Sequence, residues 1–216
     1  MAVEPRKAPR QPRARATFEA ILDAAAHILE QRGIEGYNTN AIAERAGLSV
    51  GSIYQYFPDK DAITAELIRR ETAGLLADAE LARKAAGARE GLIHLINAAV
   101  RHQLDRPLLA RLIDIEEARL PLAQENSGVE RTLVGLVLEA LKRPGLARIH
   151  DPELAARDLV AITKGMIDAA GMRGETDPVS LSSRVRCAVF GYLDRMHELH
   201  PPRGAGPSLQ AVNARR

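Results

Sequence analysis

The sequence predicts an all-α fold. Apolar residues recur at intervals of three and four rather than two, Ala, Leu, Glu and Arg dominate, and Gly and Pro separate blocks of helix length. No stretch reads as a strand. With 216 residues, 46% of them hydrophobic, the chain can bury a full-sized core in one or two domains. It has no apolar run of transmembrane length, and its charged, Pro-rich N-terminus lacks the apolar centre of a secretory leader. The expected compartment is therefore the cytoplasm, with no membrane partner. The one cysteine, Cys187, excludes an internal disulfide and a Cys-based zinc site, and it reads as a small buried hydrophobe.

The charge is unevenly placed. The net charge is only +2, yet Arg6, Lys7, Arg10, Arg13 and Arg15 stand against Glu4 alone near the N-terminus, with three prolines between them. Residues 1–14 read as a basic flexible arm that can follow a phosphate backbone. The first helix, about 15–32, gathers Phe18, Ile21, Leu22, Ala25, Ile28 and Leu29 on one face and stops at Gly33. A short second helix, capped by Asn38 or Thr39, buries Ile42, Ala43 and Ala46 and ends at Gly47. A third runs from about Val50 to Tyr56, and Pro58 halts it before Asp59 or its neighbour caps a long fourth helix. Further helices are expected at about 60–86, 89–106, 108–119, 123–143, 152–172 and 178–198, divided by Gly and Pro, with a disordered tail at 201–216.

Two short helices joined by Ala46-Gly47-Leu48-Ser49 have the form of a helix-turn-helix, in which Gly47 allows the sharp bend and Ile42, Leu48 and Ile53 pin the angle. Taking about 100 degrees per residue from Gly51, Val50, Ile53 and Phe57 gather on one side of the third helix. Gly51, Ser52 and Gln55 face the other way, with Tyr54 and Tyr56 on the flanks. This layout suits a major groove: small residues permit close approach, Gln55 can pair with an adenine edge, and the tyrosine hydroxyls can reach phosphates.

The string from Ile42 to Lys60, Ile-Ala-Glu-Arg-Ala-Gly-Leu-Ser-Val-Gly-Ser-Ile-Tyr-Gln-Tyr-Phe-Pro-Asp-Lys, resembles the DNA-binding domain of the TetR (tetracycline repressor) family of bacterial regulators. The resemblance covers about residues 15–67, and beyond about residue 70 only the family's general plan. It implies base contacts from Gly51 and Gln55, and phosphate contacts from Thr39, Ser49, Ser52, Tyr54, Tyr56 and Lys60. Val50 stands where many members carry lysine, and Asn38 where Ser or Thr is common. Beside such a domain, Arg13 and Arg15 are expected to reach a neighbouring minor groove. The domains expected are thus an arm at 1–14, a three-helix DNA-binding domain at 15–60, and a helical ligand-binding and dimerisation domain at 61–200.

Gly47-Leu48-Ser49-Val50-Gly51 also matches the Gly-x-Ser-x-Gly elbow of hydrolases, but that chemistry needs a strand entering the turn, and here a helix does. No catalytic constellation is found. His94 and His102 lie eight residues apart on one helix, about 12 Å along its axis, too far to share an ion with Asp114, Glu116 or Glu117 nearby. His197 and His200, three apart, suit a surface site and an exposed polar helix end equally. No metal and no cofactor is expected. The alternative from another class is a small helical enzyme or ligand carrier that contains a helix-turn-helix-like segment.

In the C-terminal part, Leu159, Ile162, Thr163, Met166, Ile167 and Ala170 form one apolar stripe and Leu181, Val185, Ala188, Val189, Tyr192 and Met196 another. With the resemblance, these predict a two-fold homodimer through Ile162, Met166, Ile167, Val185, Val189 and Tyr192. Leu95, Ile96, Val100, Leu112, Ile113, Val134, Val137 and Leu141, beside Leu92, are expected to line an aliphatic pocket, with Arg101, His102, Arg106, Arg111 and Arg119 available for an acidic head. Only Phe190 and Tyr192 are aromatic after Phe57, too few to cage a flat cation. The function expected is a ligand-responsive repressor that binds a palindromic duplex operator as a dimer and responds to an aliphatic or acidic small molecule.

Overall fold

The computed structural model describes residues 3–6 and 9–199; Lys7, His200 and the 201–216 tail lie outside them, as does the side chain of His197. The described residues form helices α1 (Pro12–Gly36), α2 (Thr39–Ala46), α3 (Val50–Tyr56), α4 (Lys60–Glu80), α5 (Ala88–Leu104), α6 (Pro107–Arg119), α7 (Ala123–Leu141), α8 (Pro152–Met172) and α9 (Pro178–Leu199), with a 3-10 turn at Leu81–Lys84. None of these helices is long and apolar enough to cross a membrane.

Local chemistry accounts for most helix ends. Asn38, Ser49, Asp59 and Asp151 each accept a hydrogen bond from the backbone N–H three residues on, so each closes one of the open amides of a helix start. Prolines open α1, α6, α8 and α9, where a missing N–H costs nothing. Helix α1 therefore starts at Pro12, and Arg13 stands in its first turn rather than in an extended arm. Gly33, at φ 63 and ψ −170, breaks the helical path inside α1, a backbone state that essentially only glycine adopts. Gly47, at φ 67, ends α2 in the left-handed conformation.

The side chains sort into two cores. One combines Phe18, Ile21, Leu22, Ile28 and Leu29 of α1 with Ile42, Ile53, Phe57 and the first half of α4. Leu109 and Ile113 of α6, together with Leu120 and Leu122, complete it. The N-terminal domain thus takes a face of α6 and the start of α4 as well as residues 15–60. The second core is built from α5, α7, α8 and α9, with Ala79 and Ala82 closing one end.

Ion pairs fasten the two halves along α6. Before its first turn Arg106 forks onto Glu30 of α1, with both nitrogens 2.8 Å from the carboxylate. At its last turn Arg119 forks onto Asp61 of α4 at 3.0 and 2.7 Å, which holds the Asp61 carboxyl below its usual range. Arg69 of α4 makes a similar pair with Glu125 of α7. Such partly exposed pairs each stabilise by only about 0–1 kcal/mol, so their main effect is on orientation.

Candidate nucleic-acid interface

Helix α3 has only seven residues, and tertiary packing fixes its rotation. Ile53 and Phe57 are fully buried, with Phe57 stacked 4.8 Å from Phe18. The opposite face is therefore held outward. Gly51, Tyr54 and Gln55 are exposed, and Ser52 is half-buried. A Cβ at Gly51 would meet nothing within the protein closer than Ser49 Oγ at 3.8 Å, so its own fold gives no packing reason for glycine there. Leaving that position bare lets another surface approach the helix backbone closely.

The other sequence-predicted contacts surround this face, several with structural duties of their own. Ser49 Oγ accepts from Ser52 N–H at 3.1 Å and lies 2.8 Å from Ser52 Oγ, so the two hydroxyls cap α3 while remaining at the surface. Thr39 is the first residue of α2 and is half-buried. Tyr56 is less free than its flank position implies, because its ring packs edge-on against Phe18. Lys60 opens α4 with its ammonium 5.4 Å from the centre of the Tyr37 ring. Tyr37 is itself fixed by a 3.1 Å hydrogen bond from Thr64, and burial pushes its hydroxyl pKa up. The Asp59 carboxylate already takes the Ala62 N–H, so α4 offers Lys60 less help with an anion than an uncapped helix start would.

Arg13 and Arg15 are exposed on the first turns of α1. The segment before them is tied down: Arg6 N–H donates to Tyr56 C=O at 2.7 Å, and Val3 C=O accepts from Arg69 at 3.2 Å. These bonds carry the exposed Arg6 past the end of α3. No sequence signal pointed to this clasp, which joins residues 50 or more positions apart.

Leu95, Ile96, Val100, Val137 and Leu141 are buried in the second core, with Val134 packed on it, whereas Ile113 and Leu112 belong to the first. They do not line one aliphatic pocket, because their apolar faces close on neighbouring helices. One small cavity, of about 40 Å3, opens where α4, α5 and α6 meet, with Glu71, His102, Gln103 and Arg106 among its walls beside Leu109 and Ile113. Burial pushes the His102 pKa down. Among the described residues no group of three or more His, Cys, Asp or Glu is placed to hold a metal.

Of the predicted dimer residues, Ile167, Val185 and Val189 are buried inside the protomer. Ile162, Met166 and Tyr192 are half-buried and pack against the same core, with Tyr192 Oη donating to Asp158 across the α8–α9 seam. The outward face of these helices carries Ala161, Gly165 and Met172 on α8 and Cys187 and Gly191 on α9. Cys187 is thus exposed rather than buried.

Comparison with known proteins agrees with this geometry. Residues 21–67 match the family model described as bacterial regulatory proteins, tetR family, and residues 89–193 match a tetracyclin repressor-like C-terminal domain. Over 177 residues the chain is 27% identical to an uncharacterized HTH-type transcriptional regulator of Mycobacterium bovis, covering 80% of this chain and 92% of that protein. It is 25% identical to the HTH-type transcriptional regulator BetI of Paraburkholderia phymatum over 194 residues, covering 81% and 89%. Among solved structures, the fatty acid degradation regulator FadR from Bacillus halodurans has the same fold, with a TM-score of 0.70 at 20% identity, covering 86% of this chain and 98% of that one. A helix-turn-helix with an outward polar face, a separate helical C-terminal core and both family matches together make the chain a member of the TetR family of DNA-binding transcriptional regulators, and not an enzyme.

Proposed function

We propose that the protein is a ligand-responsive repressor that binds a palindromic operator as a homodimer in the bacterial cytoplasm. The observation that carries this proposal is the exposed Gly51–Gln55 face of α3, held outward by buried Ile53 and Phe57. Gln55 reads a base edge, and Gly51 lets the helix backbone approach the groove floor. Ser49, Ser52, Thr39, Tyr54, Tyr56 and Lys60 hold phosphates on either side, and Arg13 and Arg15 reach an adjacent groove. A single seven-residue helix meets few bases, so selectivity requires a second copy, joined through the outward faces of α8 and α9.

The effector is proposed to be an aliphatic or acidic small molecule. Only Phe190 and Tyr192 lie beyond Phe57 among the aromatics, which argues against stacked planar cations. Because α6 contributes to the N-terminal core and is forked to α1 and α4, a ligand that displaces α5, which packs on α6, also bears on the DNA-binding domain.

Paired substitutions test the assignment. Gln55→Ala should cost about 1–3 kcal/mol on the preferred operator and little on random duplex. Lys60→Ala should weaken all duplexes alike and flatten the salt dependence by about one phosphate contact. Equal losses on operator and random DNA in the Gln55 variant would refute base reading by this residue.

A further inference from the structure

An open groove of about 220 Å3 lies between α5 and the start of α9, on the flank of α9 away from the α8 seam. DNA reading does not use it. The critical group is Arg186, whose half-buried guanidinium donates from Nε and Nη2 to Ser182 Oγ at 3.1 and 3.0 Å, and from Nη2 to Asn97 Oδ1 at 3.2 Å. Ser182, only 4% exposed, is fixed by a 2.6 Å bond to Asn97 Oδ1. Every acceptor is neutral. Among the described residues no carboxylate lies within ion-pair distance of Arg186, and its Nη1 has no hydrogen-bond partner.

The surroundings repeat the imbalance. Arg101, on the groove wall, pairs with Asp78, but Arg89 farther along the same seam rests on the Phe190 ring, 4.1 Å from its centre, with no carboxylate paired to it among the described residues. The nearby Asp177 carboxylate is taken up in capping the Val179 and Ser180 amides. A guanidinium taken partly out of water and held rigid without a counter-ion is poised for an anion, and its planar fork matches a carboxylate. Beside it the groove is apolar, with Val100 at its base and Pro178 and Val179, the latter 74% exposed, at its rim.

We propose that this groove binds a small aliphatic carboxylic acid, with the carboxylate on Arg186 and the hydrocarbon against Val100, Pro178 and Val179. Its volume is below the roughly 300–1,000 Å3 of sites for drug-sized ligands, which suits a small molecule. The proposal rests on reading the chain as ligand-responsive, and it gives that ligand a chemical class and a place.

Calorimetric titration of the full chain with butanoate, hexanoate and octanoate, and with hexylamine as the charge-reversed control, tests it. The acids should bind and the amine should not. Arg186→Met should weaken acid binding about ten- to a hundredfold. Val179→Asp, at an exposed rim position where folding is insensitive, should produce a comparable loss by charge repulsion. Binding of the amine as tight as the acids, or acid binding unchanged in both variants, would overturn the proposal. Failure of every acid to bind the wild-type chain would also overturn it, and operator affinity measured on the same samples separates that result from failure of the repressor reading.

Discussion

Helices α3 and α9 are both amphipathic, and both spend their apolar side on their own protomer. Ile53 and Phe57 anchor α3, whereas Leu181, Val185 and Val189 anchor α9. In each case the surface left for a partner lies opposite the apolar stripe. On α3 that surface is Gly51, Tyr54 and Gln55, and on α9 it is small residues such as Cys187 and Gly191. The polar face of α3 is exposed, while the apolar stripe of α9 lies in the second core. Amphipathicity identifies the buried side of a helix, and only the packing shows whether a neighbour or a second copy covers it.

The contrast breaks most visibly where charge enters the stripe. Val189→Glu or Ile167→Glu should unfold the C-terminal half, with a loss on the order of 3 kcal/mol or more, because either places an unpaired carboxylate in the second core. Gly165→Glu, on the outward face of α8, should leave the melting temperature nearly unchanged while halving the mass in solution if this face joins two copies. A Val189→Glu chain that melts like wild type but becomes a monomer would restore the apolar stripe as the interface. A smaller effect sharpens the α3 side. Gly51→Ala should stabilise the protein by about 0.5–1 kcal/mol, since its methyl group meets only Ser49 Oγ, at an ordinary 3.8 Å, and alanine favours helix. The same change should weaken operator binding, and unchanged affinity would remove Gly51 from the contact surface.

Much of the fold was legible because its signals are local. Asn38, Ser49 and Asp59 each cap a helix through a bond to an amide three residues away, and Gly33 and Gly47 each take a backbone state that their own identity permits. The joint between the halves was not legible. Arg106 meets Glu30 across 76 positions and Arg119 meets Asp61 across 58, and no periodicity encodes such pairings. For the same reason the packing of Leu112 and Ile113 with the DNA-binding core has no sequence signal, because their helix reads like its neighbours. The clasp of Arg6 on Tyr56 was equally hidden, because it uses backbone groups that carry no residue signature.

We propose that the outward face of α3 selects DNA sequence through Gln55 in a two-fold assembly. Selection of bound duplexes from a random pool, run in parallel with the wild-type chain and Gln55→Ala, tests it most directly. The wild type should enrich an inverted repeat, and the variant should enrich the same repeat with base preference relaxed at one position in each half-site. Enrichment of an asymmetric site, or an identical motif from both proteins, would contradict it.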